Sequence, residues 1–175
     1  MKIIRSIAMI AIVWAGAAQA VEPVPTGSFA FTFETELPAP PATAWAAATG
    51  DITGWWDHSM SEAPHSMVIE PRPGGRFLEE FSADGDGVVH ADVTYAKTGE
   101  MLRMVGPMGL AGCAIHMVTT WTFAAGESDG TTQMTVEVRA TGEIHEGWDA
   151  LVEKTWRHFI EERLAPFLAG DREGR

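Results

Sequence analysis

Cysteine is almost missing from this chain. Cys113 stands alone among 175 residues, so no disulfide can close within the chain and the fold has to stand on packing. One thiol without a partnering motif reads as a packed side chain and not as a nucleophile. Basic residues are scarce as well, 12 Lys and Arg against 24 Asp and Glu, for a formal net charge of −12. A surface of that sign repels phosphate backbones and anionic headgroups, so nucleic-acid binding and attachment to a membrane surface drop out as leading functions. There is no GxSxG elbow, no HxH or HExxH pair, and the one glycine pair that could suggest a phosphate loop, in "PRPGG", leads into a strand and reads as a turn. The reading therefore calls for no cofactor and no metal, with zinc only the default candidate if one were present.

What the chain does have begins with "MKIIRSIAMIAIVWAGAAQA". Lys2 and Arg5 precede an apolar run from Ile7 to Trp14, and Ala18-Gln19-Ala20 closes it with small residues around a cleavage point. That is the build of a secretory signal over residues 1–20, with an apolar middle too short to span a bilayer comfortably. The expectation is a periplasmic or secreted protein starting at Val21, 175 less 20 or 155 residues long, with no stable membrane insertion of the mature chain. Losing Lys2 and Arg5 leaves 10 basic against 24 acidic residues, a net of −14. Residues 21–27 read as an extended lead-in, 28–169 as one domain and 170–175 as a polar tail.

Within the domain, "SFAFTFETEL" alternates Phe29, Phe31 and Phe33 with small or polar residues, the period of a half-buried strand. Prolines and then Asp51 mark the starts of two short helices in tandem. Six further strands follow, Met67–Glu70, Arg76–Phe81, Val88–Tyr95, Met101–Val105, Ile115–Phe123 and Thr131–Ala140, most of them joined by Gly- and Asp-containing turns that favour antiparallel neighbours. From about Glu146 to Leu168 apolar residues recur every three or four positions, including Trp148, Val152, Trp156 and Phe159. They form one wide stripe on a long helix, which Pro166 should bend near its end. The expected class is α+β, a seven-stranded curved antiparallel sheet hiding its inner face against that helix, with two short helices at its side.

The order of these elements, with "WW" after the second short helix, "PGGRF" opening a strand, "TTWTF…TTQMTVEV" as the last hairpin and "GWDALVEKTWRHFIEERL" at the end, resembles the START-like SRPBCC superfamily. Within it the chain is most similar to the bacterial branch related to the heat-shock-protein-90 ATPase activator. The resemblance covers Phe29 to about Leu168 and implies a helix-grip fold with a hydrophobic cavity between sheet and helix. It leaves function open, because such folds serve as lipid and sterol carriers, hormone receptors, polyketide cyclases and aromatases, and co-chaperones. The last role fits an exported chain poorly, since that partner is cytosolic.

Candidate site residues come from the inward faces of the elements. Trp55 and Trp56 must point in different directions, so one can enter the core while the other reaches a pocket rim. Phe77, Met104, Met117, Trp121, Met134, Trp148, Val152 and Trp156 supply an adaptable apolar lining, or equally a filled core. Glu79 shares a strand face with Phe77 and Phe81, and an inward carboxylate needs a partner. His90 on the next strand can provide it if the two stand opposite each other. The alternation of Val89, Ala91, Val93 and Tyr95 favours a register one residue away that would turn His90 out. The expected function is binding of a small hydrophobic or amphipathic molecule. The alternatives are a cyclase- or hydrolase-type enzyme with Glu79 and His90 as base and orienting partner, and a protein-interaction module using the outer sheet face or the loop 106–112, its protein partner unknown.

Overall fold

The computed structural model describes residues 23–170. The expected signal segment, the expected cleavage point before Val21 and the end of the tail after Gly170 lie outside these residues. The chain runs through β1 (Thr26–Leu37), α1 (Pro41–Ala48), β2 (Gly50–Asp51), β3 (Ser66–Ile69), β4 (Arg76–Glu80), β5 (Gly87–Lys97), β6 (Met101–Val105), a 3-10 turn (Met108–Leu110), β7 (Ile115–Ala125) and β8 (Thr132–Glu143). It closes with α2 (Trp148–Arg157), which continues without a break through a π-helical stretch (His158–Leu164) into α3 (Ala165–Ala169).

The strands form a single open antiparallel sheet in the order β1-β8-β7-β6-β5-β4-β3-β2. Neighbours in sequence are neighbours in space throughout β2 to β8, as short turns require, and only β1 crosses over to pair with β8. The sheet thus has eight strands where seven were expected, and the second short helix is absent. One physical cause serves for both. Gly50 adopts a positive φ of 75°, open to glycine at no steric cost, and turns the chain out of α1 so that Gly50 and Asp51 pair with Ile69 and Val68. The Asp51 carboxylate then accepts the Thr53 N–H at 3.0 Å, and the N–H groups of Trp55 and Trp56 both reach back to the Ile52 carbonyl. The cap signal was real, but it closes one turn and starts no helix.

The C-terminal helix lies across the concave face. Phe159, Ile160, Leu164 and Trp156 are buried from it against Trp121, Met104, Met117, Val136 and Val138 of the sheet. Pro166 has no N–H to give to the preceding turn, and just before it the Ala165 N–H donates to the Ile160 carbonyl, five residues back. The helix therefore widens into a π-helical stretch upstream of the proline and does not simply bend. On the outer side Arg157 bridges Glu153 at 3.0 Å and Glu161 at 2.9 Å, and its guanidinium sits 4.5 Å above the Phe33 ring, tying the helix to β1. α1 plugs one end of the sheet, where Trp45 meets Phe123 edge to face at 5.5 Å.

Candidate functional site

Between sheet and helix an apolar cavity of about 270 Å³ remains unfilled. Phe77 on β4, His90 on β5 and Met117 on β7 line it from the sheet, and Val152, Thr155, Trp156 and Phe159 from the helix. Trp56, His58, Ser59 and Met60 form one rim, and the loop Pro107, Met108, Gly109 and Leu110 forms the other. Leu151, 56% exposed, stands at the mouth.

The two adjacent tryptophans separate as their geometry demands. Trp55 is buried in the core with its indole N–H on the Ala47 carbonyl at 2.8 Å. Trp56 faces the cavity, stacked on Phe159 at 3.7 Å between centroids and edge-on to Phe77 at 5.0 Å. These aromatic contacts bring the turn after β2, the sheet and the helix together at one point.

Glu79 and His90 are brought together by neither of the two simple registers. Phe77 pairs with Ala91, but Leu78 pairs with Val89, so His90 is an extra residue that β4 does not oppose, a β-bulge. The bulge resolves the conflict in the sequence pattern, since His90, Ala91 and Val93 can all face inward while Val89 faces out. A second irregularity between Val93 and Tyr95 leaves Tyr95 outside as well. Gly106, at the end of β6, makes room for the first bulge: a Cβ there would come within 2.4 Å of the Ala91 Cα and the His90 carbonyl oxygen. Bulges of this kind re-aim a side chain at functional positions.

The Glu79 carboxylate is fully buried and its oxygens are committed. Oε1 accepts from the Ser59 hydroxyl at 2.6 Å and the Met60 N–H at 3.0 Å, with the Ser61 N–H at 3.3 Å. Oε2 meets His90 Nε2 at 2.9 Å. Burial alone would raise the pKa of this carboxyl. The Ser59 hydroxyl, the Met60 N–H and His90 outweigh it and hold the group below its ordinary value near 4.5. An ionised carboxylate only accepts, so His90 Nε2 carries the proton. The other ring nitrogen, Nδ1, lies 3.3 Å from the Met108 carbonyl oxygen. Met108 itself has φ of 53°, a left-handed conformation that side chains with a Cβ seldom adopt and that persists only where the surroundings hold it.

Of the lining residues expected from sequence, Trp56, Phe77, His90, Met117, Val152 and Trp156 do border the cavity. Glu79 stands behind His90 and holds the Ser59–Ser61 rim. Trp55, Met104, Trp121 and Met134 are core residues, each at most 2% exposed. Trp148 is half-buried at the start of the helix with its ring 4.6 Å from His145, away from the cavity. Phe159 was not among the expected lining residues, and neither were Ser59 and Met60 of one rim, whereas the loop 106–112 that supplies the other rim was expected only as an interaction surface. Phe159 carried the right signal, its place in the helical stripe, whereas the segment 58–60 had no periodicity to reveal it.

No family model matches the chain, and no curated protein matches its sequence. Among solved structures it is similar to DynU16, a protein of the dynemicin biosynthetic locus, at 20% identity and a TM-score of 0.55, over 80% of this chain and 47% of that one. The chain thus spans about half the length of DynU16. A Rhodobacter sphaeroides protein aligns at 21% identity and a TM-score of 0.58, over 85% of this chain and 99% of its own. The Chromobacterium violaceum protein CV1439 aligns at 22% and 0.54, over 79% and 96%. Identities this low establish a shared fold alone, one consistent with the helix-grip arrangement.

Proposed function

We propose that this protein binds a small apolar or amphipathic molecule in the cavity between the sheet and the C-terminal helix. The observation that carries the reading is an apolar cavity between sheet and helix, walled by Trp56, Phe77, Met117, Trp156 and Phe159, with a buried polar ring, His90, set into the wall. Ligand sites of this kind commonly run to about 300–1,000 Å³, so this one suits a compact ring system or a short acyl chain better than a two-chain lipid. With Nε2 held by Glu79 and Nδ1 3.3 Å from the Met108 carbonyl oxygen, His90 can meet a hydroxyl of the ligand at Nδ1 where the ligand displaces that carbonyl. We also place the chain in the branch related to the heat-shock-protein-90 ATPase activator, on the four segments that carry that resemblance, and propose an exported, periplasmic or secreted location.

Mass spectrometry of small molecules released from protein purified out of its native source tests the binding reading, with Val152→Phe as the control. The added ring should fill the cavity from the helix face, leave the fold intact and abolish the co-purified species. An extract from the natural protein that matches the buffer blank, or one unchanged by Val152→Phe, would refute it.

A cyclase- or hydrolase-type reading is favoured by one observation, the His90–Glu79 pair at the cavity wall. In it His90 is the base through Nδ1, once a substrate displaces the Met108 carbonyl from it, and Glu79, whose oxygens are engaged by the rim and His90, is its orienting partner.

A further inference from the structure

The cavity mouth carries a second group of polar side chains that the apolar pocket does not explain. Asp57 and His58 follow Trp56 directly in sequence, and His158, Glu162 and Arg163 come from the π-helical stretch. His58 Nδ1 lies 2.9 Å from Asp57 Oδ1, and His158 Nε2 lies 2.8 Å from Oδ2 and 3.1 Å from Oδ1. Two imidazole nitrogens and a carboxylate oxygen thus converge, all within 4.8 Å of one another. Behind them His158 Nδ1 meets Glu162 Oε2 at 2.8 Å. Arg163 Nε holds Asp57 Oδ2 at 3.2 Å.

We propose that Asp57, His58 and His158 form a binding site for one divalent transition-metal ion, Zn²⁺ as the reference case, at the mouth of the cavity. Two imidazoles and one carboxylate are a donor set that zinc accepts, and three protein ligands leave a fourth position for water or another oxygen. Ligand atoms around a tetrahedral zinc stand about 3.3 Å apart when each is about 2.0–2.1 Å from the metal. The two nitrogen–oxygen spacings need to open by only a few tenths of an ångström, and the two nitrogens already lie within 4.8 Å of each other. The ion would take the place of the protons that His58 Nδ1 and His158 Nε2 now direct at Asp57: His158 keeps its Nδ1 proton on Glu162 and gives the other to solvent, and His58 is left with its proton on Nε2.

The surrounding contacts are those that a metal site uses. Glu162 on Nδ1 fixes the His158 ring and leaves Nε2 for the metal, the carboxylate–histidine–metal relay, and Arg163 on Oδ2 leaves Oδ1 for it. His58 also lines the cavity, so the proposed site stands beside that space. The site does not depend on what the cavity holds. About a hundred residues separate His58 from His158, which is why no local spacing announces the group.

Titration of the tag-free protein with Zn²⁺ alone by calorimetry, and with Co²⁺ by visible absorption, tests the proposal. One ion per chain is expected, with the intense bands of a tetrahedral cobalt site. His58→Ala removes a side chain that is 57% exposed and should leave the fold unchanged while weakening binding at least tenfold, and His158→Ala should do the same. Glu162→Gln should cost about 10–100-fold if it orients the ligand. His116→Ala, exposed on β7, should have no effect. Absence of Zn²⁺ binding to the folded natural chain, a Co²⁺ spectrum no different from the aqueous ion, or affinity unaffected by both ligand substitutions would overturn the site and leave these residues as an ion-pair network joining the rim to the helix.

Discussion

His90 points inward because β5 holds one more residue than β4 can oppose, and Glu79 is its reason for doing so. The carboxylate gathers donors from three residues of the rim and from the bulged histidine, so it acts as the anchor of the Ser59–Ser61 segment before it can act on any ligand. Glu79→Leu leaves the buried His90 N–H without an acceptor and releases the more exposed rim donors to water, and should destabilise the protein by about 3 kcal/mol, the upper end of the loss for an unsatisfied buried donor. Glu79→Gln keeps one acceptor oxygen but sets an NH₂ against donors, and should cost about 1–3 kcal/mol near neutral pH. The folded pKa of Glu79 lies below its unfolded value near 4.5. Its ionised form therefore contributes full stability above that value and loses it as pH falls through the folded pKa. The gap between the natural chain and Glu79→Gln should accordingly shrink between pH 7 and about pH 3 in urea melts. A gap of constant size would mean that folding does not lower the Glu79 pKa, and a gap that widens as pH falls would mean that the fold holds the carboxyl neutral. Sequence alone pointed to the pair through the cost of an inward carboxylate. It could not place the bulge, because alternation assumes one residue opposite one.

Among the elements, the C-terminal helix was the most legible and the rim the least. A stripe of apolar side chains over six turns repeats the same signal many times, so its course and inner face follow from spacing alone. The widening before Pro166 adds what spacing does not carry: a proline can be accommodated by a wider turn upstream of it, and π-helical turns often lie beside functional positions. Here the stretch contributes Phe159 to the cavity and His158 to its mouth. Trp156 shows how such a residue can be both wall and core. It is 3% exposed and meets Trp121 edge to face at 5.7 Å, yet another side borders the cavity. Trp156→Ala should therefore cost about 2–3 kcal/mol in urea denaturation, below the ~3–5 kcal/mol of a fully packed aromatic, because contacts on the open side were never made. A loss at or above that upper range would show that the cavity collapses onto the ring in solution. Strand alternation gave the face on which Met104, Trp121 and Met134 lie, but not their depth along the sheet, and depth decides which inward residues meet the cavity and which are packed over.

For the molecule as a whole, what holds the domain together bears on where it can work. A single half-buried cysteine means that the fold depends on no disulfide, so it can form before or after passage into an oxidising compartment. Among the described residues no helix is long and apolar enough to cross a membrane. The strongly apolar stretch of the sequence is instead Ile7 to Trp14, ahead of Ala18-Gln19-Ala20. The first strand begins at Thr26, a short distance beyond the expected cut before Val21, so cleavage there would remove no residue of the sheet and would leave the mature domain its full pairing of β1 with β8. Export would also raise the excess of acidic residues to 24 against 10, favouring solubility. Expression of the whole chain in a bacterial host should thus yield a periplasmic or secreted product whose N-terminal sequencing reads Val21-Glu22-Pro23, with thermal stability unchanged by a reducing agent. A mature protein that keeps Met1, or that stays with the membrane pellet, would refute the exported location while leaving the cavity and its ligand to be judged separately.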